Sequence, residues 1–224
     1  MSLKKMKKRT KWFGIGLAIV ILAAGLAAFS FETRSGPKKP VNTIRVACVG
    51  DSITNGTEYP SDLWMMLGTN YTVGNFGVGG VTVSLGSENS YMNQTEFRIA
   101  KEFMPNIVVI LLGTNDAYPS RQQYLNSFIN DYKELIGEFQ GLSTKPKIWI
   151  VLPPPIFIDD LGPDSTILVK EIIPLIKQTA NELGLPIIDV YSPLVNHSEY
   201  FWDGVHPNSQ GAKIIATEIY DAII

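Results

Sequence analysis

The sequence predicts an α/β domain of three layers, a mostly parallel sheet with helices on both faces. Short, continuous apolar runs rich in β-branched residues recur along the chain, as strands buried on both faces require. Between them lie segments whose apolar residues repeat at helical spacing, and strands alternating with helices mark this architecture. A length of 224 residues with 45% hydrophobic content suits one such domain plus a tail.

The tail comes first. Residues 1–11 form a basic flank carrying Lys4, Lys5, Lys7, Lys8, Arg9 and Lys11. Residues 12–31 then run for twenty positions without a charge. As a helix they would be about 30 Å long, the thickness of a bilayer core. Basic residues ahead of the span predict a cytoplasmic N-terminus and a body beyond the membrane. The span is longer than the apolar core of a cleaved signal peptide, which favours an uncleaved anchor, although Ala28-Phe29-Ser30 offers a cleavage site. Either reading makes the body extracytoplasmic, membrane-anchored or secreted. Residues 32–41, with Gly36, Pro37 and Pro40, read as a linker, and the domain takes residues 42–224.

Within the domain, residues 43–49 (TIRVACV), 71–76, 106–112 (NIVVILL), 147–152 (KIWIVL) and 186–190 (PIIDV) read as strands. Residues 121–140 place Tyr124, Phe128, Tyr132, Leu135, Ile136 and Phe139 on one helical face. Residues 167–183 do the same with Leu168, Ile172, Ile176 and Ala180, and Pro174 must start or kink that helix. Residues 213–224 close the chain as a helix that Asn208 or Ser209 can cap.

Charge and cysteine content exclude several functions. The formal charge of −2 hides an asymmetry, because residues 1–34 hold seven basic groups and one acidic one. The remainder holds 12 basic and 20 acidic residues, a balance of −8, which repels nucleic acid. The single cysteine, Cys48, lies in an apolar run with no adjacent base and reads as a small core residue. No paired Cys/His spacing points to a metal.

In parallel sheets chemistry gathers at the carboxyl ends of the strands. The first strand runs into Gly50-Asp51-Ser52, a turn that can present a serine hydroxyl. The second ends in Asn75-Phe76-Gly77-Val78-Gly79-Gly80, whose glycines let a backbone N–H approach a ligand. The third ends in Gly113-Thr114-Asn115-Asp116, where the Asn115 amide can stabilise an oxyanion. Near the C-terminus, Asp203-Gly204-Val205-His206 sets a carboxylate three residues before an imidazole. Together these supply a nucleophile, a base with its orienting acid, and oxyanion donors.

The four blocks, in this order, resemble the SGNH hydrolases, also called GDSL esterases, over essentially all of residues 42–224. The resemblance implies a flavodoxin-like α/β/α sandwich with about five parallel strands. It implies a catalytic triad of Ser52, Asp203 and His206. The oxyanion hole it implies comprises the Ser52 N–H, the Gly80 N–H and the Asn115 amide, with Gly77 the alternative to Gly80. No cofactor is implied. A narrower resemblance, through VACVGDSITN, LPPP and FWDGVHPN, is to sialate and carbohydrate O-acetylesterases. It implies a small acyl ester, acetyl on an extracellular carbohydrate, as substrate. Asp51, Tyr59, Pro155 and Trp202 are the candidate substrate-contacting residues. The alternatives are a lipase, lysophospholipase or thioesterase taking longer acyl chains, an acyltransferase, and an anchored carbohydrate-binding protein without turnover.

Activity is expected to rise with pH as His206 loses its proton, since the neutral imidazole is the base. A flat rate profile between about pH 5 and 8 would count against that role.

Overall fold

The computed structural model describes residues 43–158 and 162–224. The expected basic flank (1–11), anchor or signal peptide (12–31) and linker (32–41) lie outside the described residues. Among the described residues no helix is long and apolar enough to cross a membrane.

The chain begins with β1 (Ile44–Gly50), the short helix α1 (Ser52–Gly56), α2 (Tyr59–Leu67) and β2 (Tyr71–Gly77). A long loop leads to α3 (Thr95–Glu102), β3 (Ile107–Leu111) and two 3₁₀ turns, Asn115–Ala117 and Pro119–Tyr124. Next come α4 (Phe128–Gln140), β4 (Lys147–Leu152), α5 (Ile173–Leu183), β5 (Ile187–Asp189) and α6 (Ser209–Ile223). The five strands form one parallel sheet in the order β2-β1-β3-β4-β5. This is the flavodoxin-like order, whose direction reverses between β1 and β3.

Strand alternation sorts the core into two layers. Ala47, Val49, Val108, Ile110, Ile148 and Ile150 face α3, α4 and α5, meeting Phe97, Tyr132, Leu135, Phe139 and Ile176. Val46, Cys48, Val109, Leu111 and Val151 face α2 and α6, meeting Tyr59, Leu63, Ile215 and Ile219. Cys48 is fully buried, and burial pushes its thiol up to about 12, so it stays protonated in the core.

The five expected strands form within a residue or two of their expected ends. The helices depart further. Residues 121–140 are not one helix. The 3₁₀ turn at Pro119–Tyr124 precedes a break, where Ser127 Oγ bonds to the Tyr124 carbonyl, which a continuous helix would have paired with a backbone N–H, and to the Asp131 carboxylate. Ahead of Pro174 the chain makes a helical turn at Ser165–Ile167 and a π-helical turn at Leu168–Ile172, so α5 starts at Ile173 with the proline in its first turn. The wider π register fits a ring that removes an N–H and crowds the preceding turn. Asn208 caps α6, its Oδ1 accepting from the Gln210 and Gly211 N–H groups. Helices α1, α2 and α3 have no counterpart among the expected elements.

Gly50 closes β1 where three elements meet. A Cβ there would lie 2.0 Å from Thr54 Oγ1 and 2.7 Å from the Leu111 carbonyl. Gly50→Ala is expected to destabilise the domain by about 2–3 kcal/mol, read from urea unfolding; an unchanged midpoint would contradict this packing.

Candidate active site

The site gathers at the reversal point of the sheet, at the carboxyl ends of β1, β2 and β3. Ser52 is the first residue of α1, so its N–H lacks an intrahelical acceptor. Asp51 caps that helix, accepting from the Ile53 N–H at 2.9 Å. Asn75 pins the end of β2 to α1, donating to the Thr54 carbonyl and accepting from the Gly77 N–H.

His206 reaches Ser52 from 154 residues away, Nε2 to Oγ at 2.8 Å. Its Nδ1 lies 2.6 Å from Asp203 Oδ2. The other oxygen, Asp203 Oδ1, accepts from the Val205 and His206 N–H groups at 2.9 and 2.7 Å. With Gly204 at φ +84°, these bonds fold Asp-Gly-Val-His into one tight loop. The Phe157 N–H anchors the loop through the Gly204 carbonyl, and Phe201 bridges Pro207 at its base. Partial burial alone would raise Asp203, but the His206 and Val205 hydrogen bonds outweigh it and hold the carboxyl below its ordinary range. Asp203 is therefore an acceptor for the Nδ1 proton, leaving Nε2 to take the serine proton.

Gly80 and Asn115 face the same space. Gly80 adopts φ +76°, a conformation that favours glycine, and its N–H has no hydrogen-bond partner among the described residues. Asn115 Nδ2 donates one hydrogen to the Val81 carbonyl at 3.0 Å, which fixes the amide and leaves its second hydrogen available. Ser52, Gly80, Asn115, Asp203 and His206 all line one cavity of about 560 Å³. Its remaining walls are Tyr118, Ile158, Gly162, Pro163 and Val205. Sequence reasoning singles out none of these wall residues. Gly77 does not line the cavity, and its missing side chain instead makes room for the Asn55 backbone.

None of the four candidate substrate contacts lines this cavity. Asp51 and Tyr59 are fully buried, and Tyr59 shares a 2.8 Å hydrogen bond with Thr54. Tyr59 faces the sheet because it leads the apolar stripe of α2, ahead of Leu63 and Leu67. Pro155 lines a separate depression of about 400 Å³ with Phe157, Tyr191 and Val195. Trp202 is 73% exposed and lies outside the cavity's walls, because its neighbour Phe201 takes the inward position. Among the described residues no cluster of three or more potential ligands could hold a metal ion.

The profile of the GDSL-like lipase/acylhydrolase family matches residues 48–214. The chain belongs to that family. It is 34% identical to the acetylxylan esterase of Xylanibacter ruminicola over 216 residues, 85% of this chain and 45% of that protein. It spans about half the length of the curated relatives it matches. Two solved structures share the fold. A GDSL-like lipase from Bacteroides thetaiotaomicron superposes with a TM-score of 0.64 at 22% identity, covering 88% of this chain and 96% of that one. A carbohydrate acetylesterase family member from Sinorhizobium meliloti gives 0.63 at 21% identity, covering 80% and 96%.

Two buried carboxyls lie behind the site. Burial pushes Asp51 up to about 6, with the Ile53 N–H, the nearby Thr114 hydroxyl and His206 pulling it back. Burial likewise pushes Asp116 up to about 6, opposed by Val83, Ser84 and Arg121. A carboxyl raised from 3.8 to about 6 binds a proton in the folded state that the unfolded chain releases. Its contribution to stability is full below about pH 4 and is lost as pH rises through about 6, roughly 3 kcal/mol for Asp51. Asp51→Asn keeps the capping acceptor. It is expected to flatten the dependence of the unfolding midpoint on pH between about 4 and 7, with a gain over wild type at neutral pH. Parallel curves for the two proteins would refute this.

Proposed function

We propose that this chain is a serine ester hydrolase that removes small acyl groups, acetyl in particular, from an extracytoplasmic carbohydrate such as acetylated xylan. The observation that carries the reading is the hydrogen-bonded chain from Asp203 through His206 to Ser52. The substrate class rests on the 34% identity with an acetylxylan esterase. The location rests on the basic flank and the uncharged run at residues 12–31.

In the reaction proposed, His206 Nε2 takes the Ser52 proton as Oγ attacks the ester carbonyl carbon. The carbonyl electrons move onto oxygen, which the Ser52 and Gly80 N–H groups and the Asn115 amide stabilise. Collapse of this intermediate breaks the bond to the sugar oxygen, which takes the proton from His206. His206 then removes a proton from water as that water attacks the acyl-enzyme. The second collapse releases the acid and returns the proton to Ser52. Asp203 holds the imidazole tautomer and stabilises its cation throughout.

A second reading has support in the cavity. Tyr118, Ile158, Pro163 and Val205 give it apolar walls, and about 560 Å³ exceeds what an acetyl group fills. That space suits either a sugar beside a short acyl group or a longer acyl chain.

Hydrolysis of p-nitrophenyl esters from acetate to octanoate separates the two. Acetate is expected to be preferred, with acetate ion released from acetylated xylan. Ser52→Ala is expected to lower kcat by up to about 10⁶ and Asn115→Ala by about 10²–10³. A preference for octanoate moves the reading to longer acyl chains. Undiminished turnover by Ser52→Ala would sink the proposed mechanism.

A further inference from the structure

Ser52 starts α1, but the other two proposed oxyanion donors come from two different loops. Gly80 lies in the loop after β2 and Asn115 in the turn after β3, so neither is placed by strand pairing. A pair of donors stabilises charge well only when its spacing is set before the reaction.

The two loops are tied side chain to backbone at several points. Both oxygens of the Asp116 carboxylate are used. Oδ2 accepts from the Val83 N–H at 2.9 Å, and Oδ1 accepts from the Ser84 N–H at 3.0 Å and the Ser84 hydroxyl at 2.7 Å. Arg121 closes the other side, its Nη1 donating to the Asn115 carbonyl at 2.8 Å and, more weakly, to the Gly80 carbonyl at 3.5 Å. Its guanidinium also sits over the ring of Tyr118, a wall of the cavity, at 4.9 Å. The β2 loop and the β3 turn are thus joined through a buried carboxylate and through a guanidinium that attract each other.

We infer that Asp116 and Arg121 are positioning residues that clasp the β2 loop to the β3 turn and so set the spacing of the Gly80 and Asn115 donors. The inference rests on the proposed ester hydrolysis. Asp116 is 1% exposed and Arg121 does not line the cavity, so both act through the donors and not on substrate. Burial works against the Asp116 charge, and the carboxylate is held in place by the donors it organises. Asn at this position would turn an N–H toward one of those donors and open the clasp.

The test compares wild type with Asp116→Asn, Ser84→Ala, Arg121→Gln and Arg121→Lys in the full-length chain. It reads kcat and KM for p-nitrophenyl acetate and inhibition by an alkylboronic acid, whose tetrahedral adduct mimics the transition state. Asp116→Asn is expected to lower kcat about 10–100-fold with KM within about twofold, as displacement of a donor would. Arg121→Gln and Ser84→Ala are expected to lower it about tenfold or less, and Arg121→Lys to recover part of the loss. Boronate affinity falls by the same factors. Ser84→Ala and Arg121→Gln keep the test open if Asp116→Asn does not fold. Full kcat and boronate affinity in those two variants, beside an active wild type, overturns the clasp and leaves the hydrolase reading standing. A folded wild type without turnover on any ester overturns that reading and the clasp with it.

Discussion

The hydrogen bond between His206 and Ser52 joins the first strand end to the last loop of the domain, and the arrangement around it depends on that closure. A contact between residues 154 positions apart cannot be held by local structure. It requires β1 inside the sheet, between β2 and β3, and α6 packed on the same face as α2. The loop bearing Asp203 and His206 is stiff at both ends. Phe201 bridges Pro207 on one side, and on the other the Asn208 cap starts α6 immediately. Gly211 lets the helix approach, since a Cβ there would lie 2.9 Å from both Pro207 and the Tyr200 carbonyl. The imidazole is thus presented by a tight turn welded to a core helix, which suits the proposed base, since it must hold its orientation through four proton transfers.

Much of this was legible in the sequence, because strand ends in a parallel sheet are local features with a known destination. The runs before Gly50, Gly77 and Gly113 each mark a strand, and the residues just after each run lie at the carboxyl edge. The three-residue spacing of Asp203 and His206 is likewise local. The parts that stayed hidden are tertiary. Tyr59 read as a ligand contact because an aromatic ring near the first block invites that reading. Its spacing with Leu63 and Leu67 was the signal that it belongs to the stripe of a buried helix. Trp202 points away from the core for a related reason, since the direction of a side chain in an irregular loop depends on which neighbour is buried. The cavity walls at Ile158, Gly162 and Pro163 come from the loop after β4, whose path nothing local specifies. Asp116 was visible beside Asn115, but its task is set by Val83 and Ser84, more than thirty residues earlier.

The placement of charge shows what the site costs the fold. Asp51 and Asp116 are both buried beneath it, and each is raised by burial more than its hydrogen bonds lower it. Asp51 Oδ2 is left without a well-formed hydrogen bond, as are the buried hydroxyls of Thr114 and Tyr132. Unsatisfied buried polar atoms are uncommon and gather where function constrains the structure. Asp51 and Thr114 directly follow β1 and β3, next to Ser52 and Asn115, whereas the other such atoms, on Ser90 and Thr144, lie elsewhere. A purely structural sheet edge would place apolar side chains in these positions and be more stable.

The charge of the body bears on which substrates such a site can favour. Residues 35–224 carry a balance of −8, a total that includes Asp203 at the cavity and the buried Asp51 and Asp116 behind it. A field of that sign opposes the approach of anionic esters and the developing oxyanion alike. The first effect suits a neutral acylated sugar. The second must be offset locally by donors fixed before the reaction. Ester cleavage turns a neutral group into a carboxylate, and the same field then favours its departure. An acidic body is therefore compatible with hydrolysis of neutral esters provided the oxyanion donors are rigid, which gives Gly80, Asn115 and the ties around them their weight in this fold.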